Sequence, residues 1–107
     1  MFPQHHKNTD IELRRDVLLV TQVALLGEIS AAVRGVTVAW SKDEISIRAV
    51  FDGPVSESDK ESMECVGSEV IASFPEHTIN VEVVRCDMPA SIDMLFLMAW
   101  VYVRKEV

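Results

Sequence analysis

Cysteine is scarce in this chain: Cys65 and Cys86 are the only two among 107 residues. Two thiols cannot build a disulfide scaffold, and these two are not spaced like metal ligands. Glycine is scarce as well. Gly27, Gly35, Gly53 and Gly67 are scattered, so no glycine-rich loop exists to cradle a phosphate. The nucleophile-elbow pattern and the two-histidine zinc helix are both missing. The longest apolar run is the ten residues from Met94 to Val103, whereas a bilayer span needs about 20. The first residues, Met1 to Asn8, are polar and lack the apolar stretch of a secretory signal. Cations are outnumbered ten to seventeen, giving a net charge of −7. That balance argues against nucleic acid or an anionic membrane as partner, because both are bound by excess Lys and Arg. The expectation is a reduced, cytoplasmic protein with no cofactor and no metal.

What is present is an ordinary globular composition, 49% apolar and 25% charged, which excludes a disordered or collagen-like chain. The length suits one domain. We read residues 1–9 as a flexible N-terminus and 10–107 as a single α+β domain.

Thr9 and Glu12 fit a capping box that opens a helix over Asp10 to Leu26. Leu13, Val17, Val20 and Ala24 form its apolar stripe, widened by Leu18, Leu25 and Leu26. Gly27 can end it in a left-handed cap. Residues 28–35 read as a connection, with room for an extra turn over Ile29 to Val33. Val36, Val38 and Trp40 then alternate with Thr37, Ala39 and Ser41, and Ile45, Ile47, Ala49 and Phe51 alternate with Glu44, Ser46, Arg48 and Val50. Period two with one apolar face predicts two half-buried strands, joined at Lys42-Asp43. Asp52-Gly53-Pro54 stops the second. A second helix follows from Ser56 to Phe74, with Ser56 and Asp59 at its cap, Met63, Val66, Val70 and Phe74 on its apolar face, and Pro75 at its end. Strands over Thr78 to Asp87 and Leu97 to Arg104 complete the order α-β-β-α-β-β. The simplest layering places both helices on one face of a four-stranded, mainly antiparallel sheet.

Charge is distributed unevenly. From Asp52 to Glu69 the chain holds six acids and one base, so this segment carries most of the net charge. At about 100° per residue, Glu57, Glu61 and Glu64 fall within roughly a 60° arc, opposite Met63, Val66 and Val70. Glu57 with Glu61, and Glu61 with Glu64, are like-charge neighbours that each cost a few tenths of a kcal/mol. The helix dipole accounts for Glu57 and Asp59 in the first turn but not for Glu64 or Glu69. A solvated face is the bland explanation. The functional one is a docking ridge for a basic partner, where complementary potential speeds association and fixes register.

Catalytic patterns are thin. His5 and His6 lie in the polar N-terminus, and His77 sits at a helix-strand corner. Cys65 and His77 have nothing to pair them. Carboxylate pairs such as Asp52 with Glu57, or Asp87 with Asp93, are expected by chance in so acidic a chain, and a general acid needs a cleft to shift its pKa. Trp40, Trp100 and Tyr102 are sized to anchor an interface, though Trp40 reads as packing. Met88, Met94 and Met98 read first as core filling and second as an adaptable contact surface.

Several segments carry a resemblance. They are Ala24-Leu25-Leu26-Gly27, Ile47-Arg48 leading to Phe51-Asp52-Gly53, Ser56 to Glu61, Ser68 to Pro75, Val83 to Pro89, and Trp100 to Glu106. In these the chain resembles small acidic immunity proteins of bacterial contact-dependent growth inhibition and related polymorphic toxin systems. The resemblance spans about residues 10 to 106 and implies a stoichiometric inhibitor with no chemistry of its own. Its partner would be a cognate toxin C-terminal domain, blocked by non-covalent binding. The acidity adds the expectation that the toxin is a nuclease, whose basic groove an acidic ridge can occupy. The residues expected to bind are Asp52, Glu57, Asp59, Glu61 and Glu64. The alternatives are an adaptor or regulatory subunit binding through its sheet face, and a small carboxylate-based hydrolase. The oligomeric state is left open.

Overall fold

The computed structural model of the chain describes residues 10–106. Thr9, His5 and His6 lie outside them, so the capping box and the histidine pair do too. The first helix, α1, runs Asp10–Ala24, and turns continue to residue 28. Gly27 sits in the left-handed region at φ 82°, where a side chain would be strained. Strands β1 (Val33–Trp40) and β2 (Glu44–Phe51) form an antiparallel hairpin closed by the Ser41 amide donating to the Glu44 carbonyl. Helix α2 (Glu57–Ile71) follows, then β3 (Thr78–Arg85), a short 3-10 turn (Asp93–Leu95) and β4 (Ala99–Val103). The element order is the expected α-β-β-α-β-β.

The sheet order is β3-β2-β1-β4. β1 pairs antiparallel with β2 and β4, while β3 lies parallel to β2, from Glu44 opposite Thr78 to Phe51 opposite Arg85. A parallel pair needs a crossover of about a dozen residues or more, and α2 supplies it. The sheet is therefore mixed, with two of its three pairings antiparallel.

Both helices pack on one face. Val17 and Ala24 of α1 and Met63, Val66 and Val70 of α2 meet Val36, Val38, Ile45, Ile47 and Phe51 in one buried cluster. The outer stripe of α1 differs from expectation. Leu25 is buried, but Leu26 is 76% exposed, because the helix has already ended when it is reached. The rotation of α2 is fixed by Gly67. A Cβ there would stand 2.5 Å from Val81 Cγ2, so the helix lies directly on β3.

The opposite face of the sheet is not bare. The segment between β3 and β4 folds back over it. Ile92 is buried, Trp100 lies against Gly35, and the Phe96 and Trp100 rings stand 5.8 Å apart. Arg48 Nη1 donates to the Leu95 carbonyl at 3.0 Å, and the Leu97 amide donates to Thr37 Oγ1 at 3.0 Å. The surface invoked by the adaptor alternative is thus partly roofed by the chain itself. Met88, Met94 and Met98 sit on the outside of this roof and are exposed, Met94 at 91%. They do not fill the core; Met98 Sδ instead accepts from the Trp40 amide at 3.4 Å.

Candidate functional site

The candidate partner-binding surface begins at the turn before α2. Gly53, at φ 86°, and Pro54 reverse the chain. Ser56 then caps the helix, its Oγ accepting from the Asp59 amide at 3.0 Å. With Met63, Val66, Gly67 and Val70 held inward, the remaining faces of α2 are set by geometry alone. Glu57, Glu61 and Glu64 all emerge into solvent on the outward side.

These carboxylates are sparsely compensated. Glu57 stands 3.4 Å from Lys60 Nζ, an exposed i,i+3 pair of little energetic weight. Among the described residues, Glu61, Glu64 and Glu69 have no ion pair or hydrogen bond. Glu61, Glu64, Cys65, Ser68 and Glu69 line one shallow depression on this face.

Two of the five expected binding residues lie apart from the other three. Asp59 is two residues beyond Glu57 and so about 200° round the helix; it is half-buried on the inward side, in the first turn. Asp52 is engaged elsewhere. Its Oδ2 pairs with Arg104 Nη2 at 3.2 Å, and its Oδ1 accepts from the Met88 amide at 3.1 Å.

That second cluster is built around Arg34, only 3% exposed. Arg34 donates through Nε and Nη2 to both Glu106 oxygens, at 2.8 and 3.0 Å, and through Nη1 to the Cys86 carbonyl at 2.7 Å. Arg104 bridges Asp52 and Glu106 and also donates to the Ala31 carbonyl. The hydrogen bonds from Arg34 hold the Glu106 carboxyl down at about 2, well below its ordinary value. Glu106 in turn raises the Arg34 guanidinium pKa. The Arg85 guanidinium, with help from the Gly53 amide, likewise lowers Asp87.

The remaining candidates do not assemble into a catalytic constellation. Cys65 is exposed on the outward side of α2. His77 is turned inward at the helix-strand corner, with Nε2 3.0 Å from the Ser41 carbonyl oxygen and its ring edge-on to Phe74. Asp87 is taken by Arg85 and the Gly53 amide, while Asp93 stays exposed. Among the described residues no group of three or more His, Cys, Asp or Glu could share a metal ion.

One part of the surface was not anticipated. Ile11, Leu19 and Val23 project from α1 into solvent, as does Leu26 in the turn that follows it. Leu19, Val20 and Val23 form an apolar groove with Glu69 of α2 and Ser73 just beyond its end. The signal was present in the sequence: these positions recur at steps of eight, four and three residues, a second apolar stripe opposite the buried one.

The family profile described as MafI2 immunity protein matches residues 14–106 of the chain. No curated protein matches it.

Proposed function

Since the chain belongs to the MafI2 immunity protein family, we propose that it neutralises a cognate toxin domain by stoichiometric, non-covalent binding through the outward ridge of α2. Glu57, Glu61 and Glu64 meet a basic surface on the toxin, and the toxin is a nuclease whose phosphate-binding groove the ridge occupies. The protein acts as an inhibitor rather than an enzyme, in the cytoplasm of the cell that makes it, in keeping with two free cysteines.

A single observation supports the ridge. Like charges lie one turn apart on one helix face, and Glu61 and Glu64 form no ion pair or hydrogen bond among the described residues, the neighbouring Lys60 being paired with Glu57. That arrangement costs stability in the free protein and is relieved when a cationic surface arrives. The test is the triple variant Glu57→Lys, Glu61→Lys, Glu64→Lys, titrated against the toxin domain encoded beside this chain's gene. Association slows, affinity falls at least tenfold (about 1.4 kcal/mol) and the salt dependence of association flattens. Unchanged affinity removes the ridge from the interface. Nuclease activity of the isolated toxin domain, abolished by one equivalent of this protein, tests the toxin class.

A further inference from the structure

We infer that the groove between α1 and α2 receives an apolar side chain of the toxin domain, carried on a segment that also bears Lys or Arg. This deepens the reading above and rests on it for the identity of the partner. The groove is lined by Leu19, Val20 and Val23 on one wall and by Glu69 and Ser73 on the other. Its volume is about 240 Å³, below the roughly 300–1,000 Å³ typical of small-molecule pockets. It suits one or two protein side chains better than a cofactor. Leu19 and Val23 are 54% and 60% exposed, and Leu26 continues the apolar surface toward the end of the helix.

Charge selects the occupant. Glu69 lines both this groove and the acidic depression that holds Glu61 and Glu64, so the two surfaces are continuous. None of these three acids has a partner among the described residues. A segment with an apolar anchor flanked by cations would bury the first and pair the second. A second copy of this chain would not. Each copy carries −7, and a two-fold pairing across the groove would bring both Glu69 carboxylates to one seam.

The two surfaces then divide the work. Exposed charge sets the rate of encounter, whereas a desolvated apolar contact at the centre of an interface sets the rate of escape. An acidic ridge alone would give fast but short-lived binding.

The experiment measures association and dissociation rates of the full chain with the toxin domain encoded beside its gene. Leu19→Ser with Val23→Ser is compared with the triple lysine variant of α2. Both groove positions are half-exposed, and a thermal midpoint within a few degrees of the parent confirms the fold. The groove variant dissociates at least tenfold faster while its association rate changes less than twofold. The α2 variant does the reverse. Unchanged dissociation in the groove variant overturns the groove and leaves the ridge standing; an unchanged α2 variant overturns the ridge reading instead. Methyl resonances of Leu19 and Val23 in the parent protein provide a measure independent of mutation: they shift on toxin binding, and static resonances overturn the inference. Sedimentation showing a dimer that the groove variant abolishes would assign the groove to a second copy and likewise overturn it.

Discussion

Two groups of carboxylates in this molecule face opposite circumstances. Asp52 and Glu106 sit in a closed network with Arg34 and Arg104, where every charge meets its opposite within about 3 Å. Glu61 and Glu64 stand on α2 with no ion pair or hydrogen bond among the described residues. The residue types are alike, and in sequence Asp52 sits closer to Glu57 than Glu64 does. The difference teaches that acidity can serve a partner only where the fold leaves it uncompensated, which is why the proposed interface is placed on α2. In the network the charge is consumed in holding the fold; on the ridge it is exposed to solvent.

The comparison can be broken most severely at Arg34. Arg34→Met strands Glu106 and the Cys86 carbonyl and removes a nearly buried guanidinium. We expect a loss of about 2–3 kcal/mol, at the lower edge of what breaking a buried pair costs, because Glu106 retains access to water. By thermal denaturation the midpoint falls by roughly 10 °C or more for a chain of this size, while toxin affinity per folded molecule is unchanged. The triple lysine variant of α2 should give the mirror image, with affinity down tenfold and the midpoint moved by only a few degrees. Similar effects of both variants on both readouts would erase the distinction.

Acid titration sharpens the same contrast. Glu106 is depressed from its ordinary 4.5 to about 2 by the hydrogen bonds from Arg34. A carboxylate lowered on folding stabilises the native state fully above its unfolded pKa, and that contribution fades as pH falls through the folded one. Stability attributable to Glu106 is therefore intact above about pH 4.5 and is lost progressively toward pH 2. Glu106→Gln should flatten the pH dependence of the thermal midpoint across that window. An identical profile in parent and variant would mean that Arg34 does not hold this carboxyl.

The smallest expected effect concerns Asp52. Asp52→Asn weakens a part-exposed pair with Arg104 and keeps a group able to accept from the Met88 amide. A loss of about 0.2–1 kcal/mol follows, with no change in toxin binding. A tenfold loss of affinity would instead place Asp52 in the interface and enlarge the ridge toward the turn.

Local patterns made most of the fold legible. The alternation of Ile45, Ile47, Ala49 and Phe51 marked β2, and Ser56 capped α2 where its side chain suggested. Non-local facts were not legible. That β3 runs parallel to β2 depends on where α2 delivers the chain, which no window of ten residues contains. The roof over the second sheet face is held by Arg48 to Leu95 and Leu97 to Thr37, contacts spanning 47 and 60 residues. Met94 looked like core because its neighbours are apolar, yet it rides on a turn whose inner side is already filled. The ridge could be read because Glu57, Glu61 and Glu64 share one helix, where angle follows from spacing. That Asp52 is held by internal partners could not be read, since Arg104 and Met88 lie 52 and 36 residues away.

The near-contact of Gly67 with Val81 has a consequence for how this molecule can change. A helix seated without slack on its strand is a rigid rack that fixes the backbone spacing of its outward carboxylates, so docking by the proposed mode would spend little backbone freedom on them. Under the proposed binding mode, swapping the side chains on that rack would rewrite which cationic pattern it meets while the seating beneath is undisturbed. Enlarging Gly67 would tilt the rack and shift all of its charges together, a coarse change that point substitutions on the outer side cannot reproduce.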